Sequence, residues 1–338
     1  MVRLPAEWEP QAFVQFTFPH QQGDWAATYD EVVPCFVELI ETTARFQPVL
    51  VVCSDLERVR TYFTQHDNLH FAVAPSNDTW ARDHGAITIL NDGKPQLLDF
   101  QFNGWGNKFP AELDNQITRK LHTSKVFGST PLAPIDFVLE GGAIESDGAG
   151  TLLTTSTCLL SENRNPQLEK AQIEVRLKQY FALERILWLD QGYLAGDDTD
   201  AHIDTLVRLC DEQTIAYVQC LDSTDEHFEA LQAMEAQLKT FKTAEGQSYK
   251  LVSLPMADPC YDDDGDRMPA TYANFLICNG AVLAPSYGVA QDEQALETLR
   301  TTFPDREVIG INCLPLIQQH GSLHCVTMQY PAGVPLNV

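Results

Sequence analysis

Short apolar runs alternate with longer stretches of helical periodicity along the whole chain, and this alternation limits the fold more than any single motif. Strand-like runs lie at 49–53, 86–90, 97–102, 151–155, 185–189, 205–209, 215–220, 275–278, 282–284, 308–311 and 325–329. Helical periodicity marks 30–46, 56–66, 110–124, 166–182, 224–242 and 290–302. The clearest helix start is Ser223-Thr224-Asp225-Glu226, a hydroxyl cap and early acids ahead of Leu231, Met234 and Leu238 on one face. Such alternation predicts an α/β protein. Close strand pairs such as 205–209 with 215–220 read as hairpins, so the sheets are predicted to be mixed. The units recur at roughly 50 to 70 residue intervals, which permits a weakly symmetric array without a fixed period.

No low-complexity linker divides the 338 residues, although length alone allows one large domain or two ordinary ones. The most loop-like stretch, 255–269, centres on Asp262-Asp263-Asp264-Gly265-Asp266. It reads as a functional loop or lid, and equally as a solvated acidic loop. Lys and Arg number 22 against 47 Asp and Glu, a formal charge of −25 that repels phosphate backbones and anionic membranes. The acidity serves solubility and is compatible with a cationic substrate. No apolar run approaches the roughly 20 residues of a membrane helix, and no apolar stretch follows Met1–Pro5, so the chain is expected to be soluble and cytoplasmic. The nine cysteines include no C-x-x-C pair, and Cys53, Cys210, Cys220 and Cys278 sit in strand-like runs as small hydrophobes. A reducing compartment is expected, with neither a disulfide framework nor a Cys-rich zinc site.

Polar and glycine-rich residues concentrate in five places where apolar strands end. Asn77-Asp78-Thr79-Trp80-Ala81-Arg82-Asp83-His84-Gly85 sets an aromatic plate beside a carboxylate, which suits a planar cation; an Arg-Asp pair capping a strand is the plainer reading. Leu139-Glu140-Gly141-Gly142 leaves a carboxylate beside backbone that can be approached closely, or is simply a hairpin bend. Gly196-Asp197-Asp198-Thr199-Asp200-Ala201-His202-Ile203-Asp204 places His202 and Asp204 on one face if extended, suited to proton transfer beside a cation grip or to a divalent metal. Pro269-Ala270-Thr271-Tyr272-Ala273-Asn274-Phe275 reads mostly as core, with Asn274 its polar candidate. Gly321-Ser322-Leu323-His324-Cys325 leads a cysteine to a strand mouth, although a buried structural cysteine fits the same pattern.

Taken in order, and together with Pro5-Ala6-Glu7-Trp8-Glu9-Pro10, Phe18-Pro19-His20 and Phe102-Asn103-Gly104-Trp105-Gly106, these segments resemble the agmatine deiminase family, related to bacterial peptidylarginine deiminase. The resemblance covers nearly the whole chain. It implies a five-bladed α/β propeller of the pentein type, with pseudo-fivefold symmetry, mixed sheets and a central active site, and residues 1–338 as one catalytic domain. It makes Cys325 the nucleophile, His202 the general acid and base, and Glu140 the carboxylate orienting His202. Asp83 and Asp204 become the pair gripping the guanidinium, Trp80 lines the channel, and Asp198 is carried along as a substrate contact. No metal or cofactor is implied; the partner is a small cationic guanidino substrate, agmatine, with a homodimer left open. Departures from the usual pattern are Ala86, Asn107 and a shortened glycine stretch before His324.

The residue types suit that chemistry. A guanidinium is planar and charged, so two carboxylates fix it with its carbon facing a thiol. Rivals on the same residues are a metal-dependent hydrolase using Asp83, His202 and Asp204, a non-catalytic cation binder, and a deiminase of free, methylated or peptidyl arginine.

Overall fold

The computed structural model describes residues 1–64 and 66–338. Its strands form five sheets, and each sheet repeats one pattern: an antiparallel pair, then a third strand parallel to the second. A parallel neighbour needs a crossover, and helices supply it. The first blade comprises Ile87–Asn91, Lys94–Gln101 and Leu132–Val138, with Val2–Arg3 added at its edge. The second is Ile144–Ser146, Thr151–Thr155 and Arg185–Leu189, bridged by the helix Lys170–Phe181. The third is Val207–Leu209, Thr214–Gln219 and Lys250–Pro255, with helix Phe228–Leu238; the fourth is Leu276–Cys278, Ala281–Ser286 and Glu307–Asn312, with helix Asp292–Thr302. The fifth joins the chain's two ends: Thr327–Pro331 pairs antiparallel with Gln11–Thr17, which continues through helix Tyr29–Ala44 to Val49–Cys53 and Leu69–Val73. This is the five-bladed pentein propeller.

Strand periodicity explains why the fifth blade reads as continuous apolar sequence. In Val49–Cys53, Val49 and Val51 face one core cluster while Leu50 and Val52 face another. Successive side chains point to opposite faces, and here both faces are covered. Helix Tyr29–Ala44 closes one of them with Val32, Phe36, Leu39 and Ile40, a single apolar stripe.

Several elements depart from the sequence reading. The hairpin at 205–209 begins only at Val207, because Ile203–Leu206 forms a helical turn in which the Thr205 hydroxyl donates to the His202 carbonyl at 2.8 Å. Helix 56–66 is shorter, Leu56–Arg60, and residue 65 lies outside the described residues. Helix 224–242 starts at Phe228, because Asp222 accepts from the Thr224 backbone and hydroxyl and holds that stretch as a turn. Leu132–Val138 and Lys250–Pro255 escape the pattern because outer strands are half exposed and tolerate Pro134 and Pro255. Gln11–Thr17 escapes because Gln11, Gln15 and Thr17 interrupt its apolar run; the buried Gln11 amide donates to the carbonyls of Glu7 and Ile277 at 2.7 and 2.8 Å. Among the described residues no helix is long and apolar enough to cross a membrane.

Candidate active site

Each blade's first strand is preceded by a tight turn, and the five turns are the five polar segments of the sequence. They are Ala81–His84, Gly141–Ala143, Ile203–Leu206, residues 270–274 and residues 322–326. Hydrogen bonds join them in a ring. Arg82 N donates to Cys325 O at 3.1 Å, His324 N to the Asn274 side-chain oxygen at 2.8 Å, and Asn274 Nδ2 to Asp204 O at 3.3 Å. Gly142 N donates to Asp83 Oδ1 at 3.1 Å, and Leu209 N to Glu145 Oε2 at 3.0 Å, which closes the circuit between the second and third blades. Residues scattered over most of the sequence thus share one axis.

Glycine is required where the second turn meets this axis. A methyl group on Gly142 would sit 2.5 Å from His202 Nδ1, 3.0 Å from Asp83 Oδ1 and 3.2 Å from Asp204 Oδ2. The space a side chain would take is therefore the space on which these three groups converge. Gly321 plays a similar part on the other wall, because a methyl there would enter the Trp80 ring at 2.3 Å. Gly321 and Asp83 border a narrow cleft of about 30 Å³, lined also by Trp80, Trp105, Asp198 and Cys325.

Burial and neighbouring charges together set the protonation states of the site. Burial is the largest influence on Cys325 and pushes its thiol well up, with Asp204 and Asp83 adding to the rise. Burial lifts Asp83 to about 6 against the pull of His202, with Asp204 and Glu140 raising it further. Burial works against the charged form of His202, yet Asp83, Cys158 and Glu140 carry it to about 10. Asp204 is also opposed by burial, but the His324 contact brings it below its ordinary value. At neutral pH the site thus holds two carboxylates, an imidazolium and a protonated thiol. Asp204 Oδ1 and both ring nitrogens of His202 are buried without a hydrogen-bond partner among the described residues. Buried orphans of this kind need a bound group to satisfy them.

The seven candidates fall into place differently. Cys325 Sγ lies 3.4 Å from Asn274 Oδ1, at the cleft floor. His202 and Asp204 do not share an extended face, since His202 is the residue before the helical turn Ile203–Leu206 and Asp204 lies within it. Glu140 does not hydrogen-bond His202, because both its oxygens accept from Arg164 Nε at 2.9 and 3.0 Å. Asp83 Oδ1 is 3.7 Å from His202 Nδ1, and a Glu140 oxygen and the Cys158 sulfur also lie within 4.8 Å of a ring nitrogen. Trp80 is a buried wall, its ring 5.7 Å from that of Trp25. Asp198 stands at the cleft mouth beside His320 Nε2, at 3.8 Å, in company with Asp24 and Asp78. Its neighbours turn away: Asp197 accepts from Thr199 and Ala201, and Asp200 pairs with Lys108 and Arg164. The acidic loop is not part of the cleft, since Asp262 accepts from the Asp264 and Asp266 amides and Arg267 pairs with Asp225 and Glu226.

The metal reading meets a different cluster from the one expected. Glu140, Cys158 and His202 each offer an atom within 4.8 Å of the others, whereas Asp83 and Asp204 are not in this group. Arg164 already neutralises Glu140, which makes that carboxylate a poor anionic ligand.

Sequence reasoning missed Trp105, whose indole donates to Asp83 Oδ2 at 2.9 Å, and Arg164. The Trp105 signal was available in Asn103-Gly104-Trp105-Gly106. Gly104, Trp105, Gly106 and Asn107 all adopt positive φ, a left-handed turn that only a glycine-rich stretch sustains cheaply and that swings the indole inward. Arg164 had no signal, for it lies in an irregular segment far from any glycine turn.

Comparison with known proteins agrees with this geometry. The family described as Porphyromonas-type peptidyl-arginine deiminase matches residues 3–331. A solved structure from Porphyromonas gingivalis, described provisionally as an arginine deiminase, superposes with a TM-score of 0.95 and 52% identity, covering 98% of this chain and 99% of that one. A C. jejuni agmatine deiminase bearing a cysteine-to-serine substitution, solved with substrate bound, gives 0.94 and 39% identity over 99% of this chain and 97% of its own. The agmatine deiminase of Pseudomonas aeruginosa is 32% identical over 98% of this chain and 95% of that one. The ring of five turns, the cysteine at its centre and the matched length converge on one conclusion: this chain belongs to the Porphyromonas-type peptidyl-arginine deiminase family.

Proposed function

We propose that this protein hydrolyses agmatine to N-carbamoylputrescine and ammonia, with residues 1–338 working as one catalytic domain in the cytoplasm. The observation that carries the reading is the convergence of Asp83, Asp204 and His202 on the space kept open by Gly142, with Cys325 at the same cleft. Relatives with agmatine deiminase activity in their names match nearly end to end.

The chemistry follows from the charges. A guanidinium entering the cleft satisfies Asp204 Oδ1 and pairs with Asp83, and its positive charge offsets the two carboxylates that hold the Cys325 proton on. The thiol proton passes to solvent, and the thiolate adds to the guanidinium carbon. His202, protonated at rest, gives its proton to the departing nitrogen. Ammonia leaves and a thiouronium on Cys325 remains. The now neutral His202 takes a proton from water and the hydroxide adds to the same carbon; the C–S bond then breaks, the adduct's hydroxyl proton passes to solvent, the ureido product is released, and the thiolate is reprotonated from solvent once the product has left.

The cleft mouth supports agmatine over arginine. Asp24, Asp78 and Asp198 line the cleft, so an arginine α-carboxylate seated in it would meet acids. The cations Arg82, Arg208 and Arg267 are taken up by Glu7, Glu145, Asp225 and Glu226. Burying an unpaired carboxylate among acids costs several kcal/mol, and 1.4 kcal/mol is about tenfold, so kcat/KM for agmatine should exceed that for arginine by about a hundredfold. Ammonia release from agmatine, arginine and a blocked arginine peptide tests the assignment. Equal or better turnover of arginine would transfer the chain to the activity named for its P. gingivalis relative.

A further inference from the structure

Consecutive residues of the central turns face opposite ends of the axis. Asp83 and Cys325 line the substrate cleft, whereas Arg82 and His324 line a second cavity of about 70 Å³ behind it, roofed by the N-terminal segment that carries Glu7. The mechanism leaves this rear cluster unused, yet one of its members reaches through to the front. His324 Nδ1 lies 2.7 Å from Asp204 Oδ2, and His324 Nε2 lies 2.7 Å from Glu7 Oε2.

From this bridge we infer that Glu7 and His324 are positioning residues for the deimination, acting through Asp204: Glu7 holds His324 as the doubly protonated ring that keeps Asp204 ionised and aims its free oxygen at the guanidinium. The inference rests on the function proposed above. Ionised carboxylates only accept hydrogen bonds, so both 2.7 Å contacts are filled only when His324 carries a hydrogen on each ring nitrogen. The surrounding charges allow that. Asp204 from the third blade's turn and Glu7 from the N-terminal segment face the ring, with Arg208 Nη2 at 3.2 Å and the Arg82 side chain against the His324 carbonyl at 3.5 Å. Glu145 lies behind Arg208 and pairs with its Nε at 2.5 Å. Three carboxylates, Glu7, Glu145 and Asp204, are then matched by three cations, Arg82, Arg208 and His324. A neutral His324 would leave the buried group one negative charge in excess, next to a site that already holds Asp83.

Glu7 is itself fixed for this part. Its Oε1 accepts from Ile277 N at 2.7 Å, and its Oε2 takes Arg208 Nη2 at 2.9 Å besides His324. Burial opposes its charge, but His324 and Arg208 hold its carboxyl well below the usual range. Asp204 is likewise held down chiefly by the His324 contact, helped by the charges of His202 and Arg208. With Oδ2 engaged by His324, Oδ1 is the oxygen left free, and it is the buried one without a partner. The division of labour within one carboxylate, one oxygen anchored and the other available, is what a rigid cation grip requires.

The test is Glu7→Gln, which keeps the shape and removes the charge. Agmatine binding is measured by calorimetry at pH 8 in the inactive Cys325→Ser background, and kcat/KM at the same pH in the active enzyme, where Asp83 is ionised. Loss of the anion removes the partner that holds the ring against Asp204, Asp204 Oδ1 loses its aim, and agmatine affinity should fall about tenfold. The kcat should change much less than KM. Glu7→Asp should recover most of the affinity, and Glu145→Gln, which touches Arg208 but not His324, should lower the melting temperature without changing the affinity. Unchanged affinity in folded Glu7→Gln, or an equal loss in Glu145→Gln, overturns the inference while leaving agmatine turnover intact. Absence of turnover by the wild-type enzyme would instead overturn the function on which it rests.

Discussion

Gly142→Ala isolates space from every other variable at this site. The backbone there is not in the left-handed region, so alanine is conformationally acceptable and the whole effect comes from one methyl group in place of a hydrogen. That carbon would lie 2.5 Å from His202 Nδ1, about 1 Å inside ordinary contact, and 3.0 Å from Asp83 Oδ1. Either the imidazole withdraws or the turn shifts. Overpacking of this kind costs about 1 to 3 kcal/mol of stability. Catalysis suffers more, since a displacement of about 1 Å in a positioned group lowers rate by about a hundredfold, and the methyl also occupies guanidinium space. Steady-state ammonia release beside a thermal melt separates the two effects. The expected result is a folded enzyme, a melting temperature lower by a few degrees, and kcat/KM reduced at least about a hundredfold. A folded Gly142→Ala enzyme within about threefold of wild type would refute the placement of substrate between His202, Asp83 and Asp204.

Trp105→Phe removes the indole donor at 2.9 Å from Asp83 Oδ2; leaving a buried acceptor unmade costs about 1 to 3 kcal/mol, so kcat/KM should fall about ten- to a hundredfold and the acid limb should rise, a shift that a wild-type-like pH profile would disprove. In the wild type, Asp83 must be ionised to grip the cation and is lifted to about 6, so activity should fall as pH drops through that value; His202 must be protonated to release ammonia and is raised to about 10, so activity should fall again above it. A profile flat from pH 5 to 8 would contradict the first part. Cys325→Ser should leave a folded protein with negligible turnover, and acid-quenched wild type should carry the substrate mass on the Cys325 peptide; an adduct on Cys158, the thiol beside His202, would move the nucleophile.

The groups of the candidate site were legible in the sequence for a reason that the fold supplies. In this propeller each blade begins with a turn at the axis, so functional residues sit where a strand run is interrupted by glycine and polar residues. Interruption is visible in one dimension. The strand run 49–53 was legible for the complementary reason, that burial on both faces leaves an unbroken apolar signal. What was illegible is pairing at long range. Glu7 meets His324 across 317 positions and Arg164 meets Glu140 across 24, and neither contact leaves a local trace.

The same logic explains why His202 and Asp204 were placed together on the wrong grounds. A His-x-Asp spacing puts two side chains on one face only in a strand, and here His202 stands just before a helical turn that contains Asp204. They nevertheless meet the same point, because Gly142 from the next blade comes in between them and Asp83 arrives from the blade before that. Convergence here belongs to the ring of turns and not to any one of them. A change within one turn is therefore felt by groups on two others, and the effects of Asp83→Asn and Gly142→Ala on kcat/KM should be far from additive when combined.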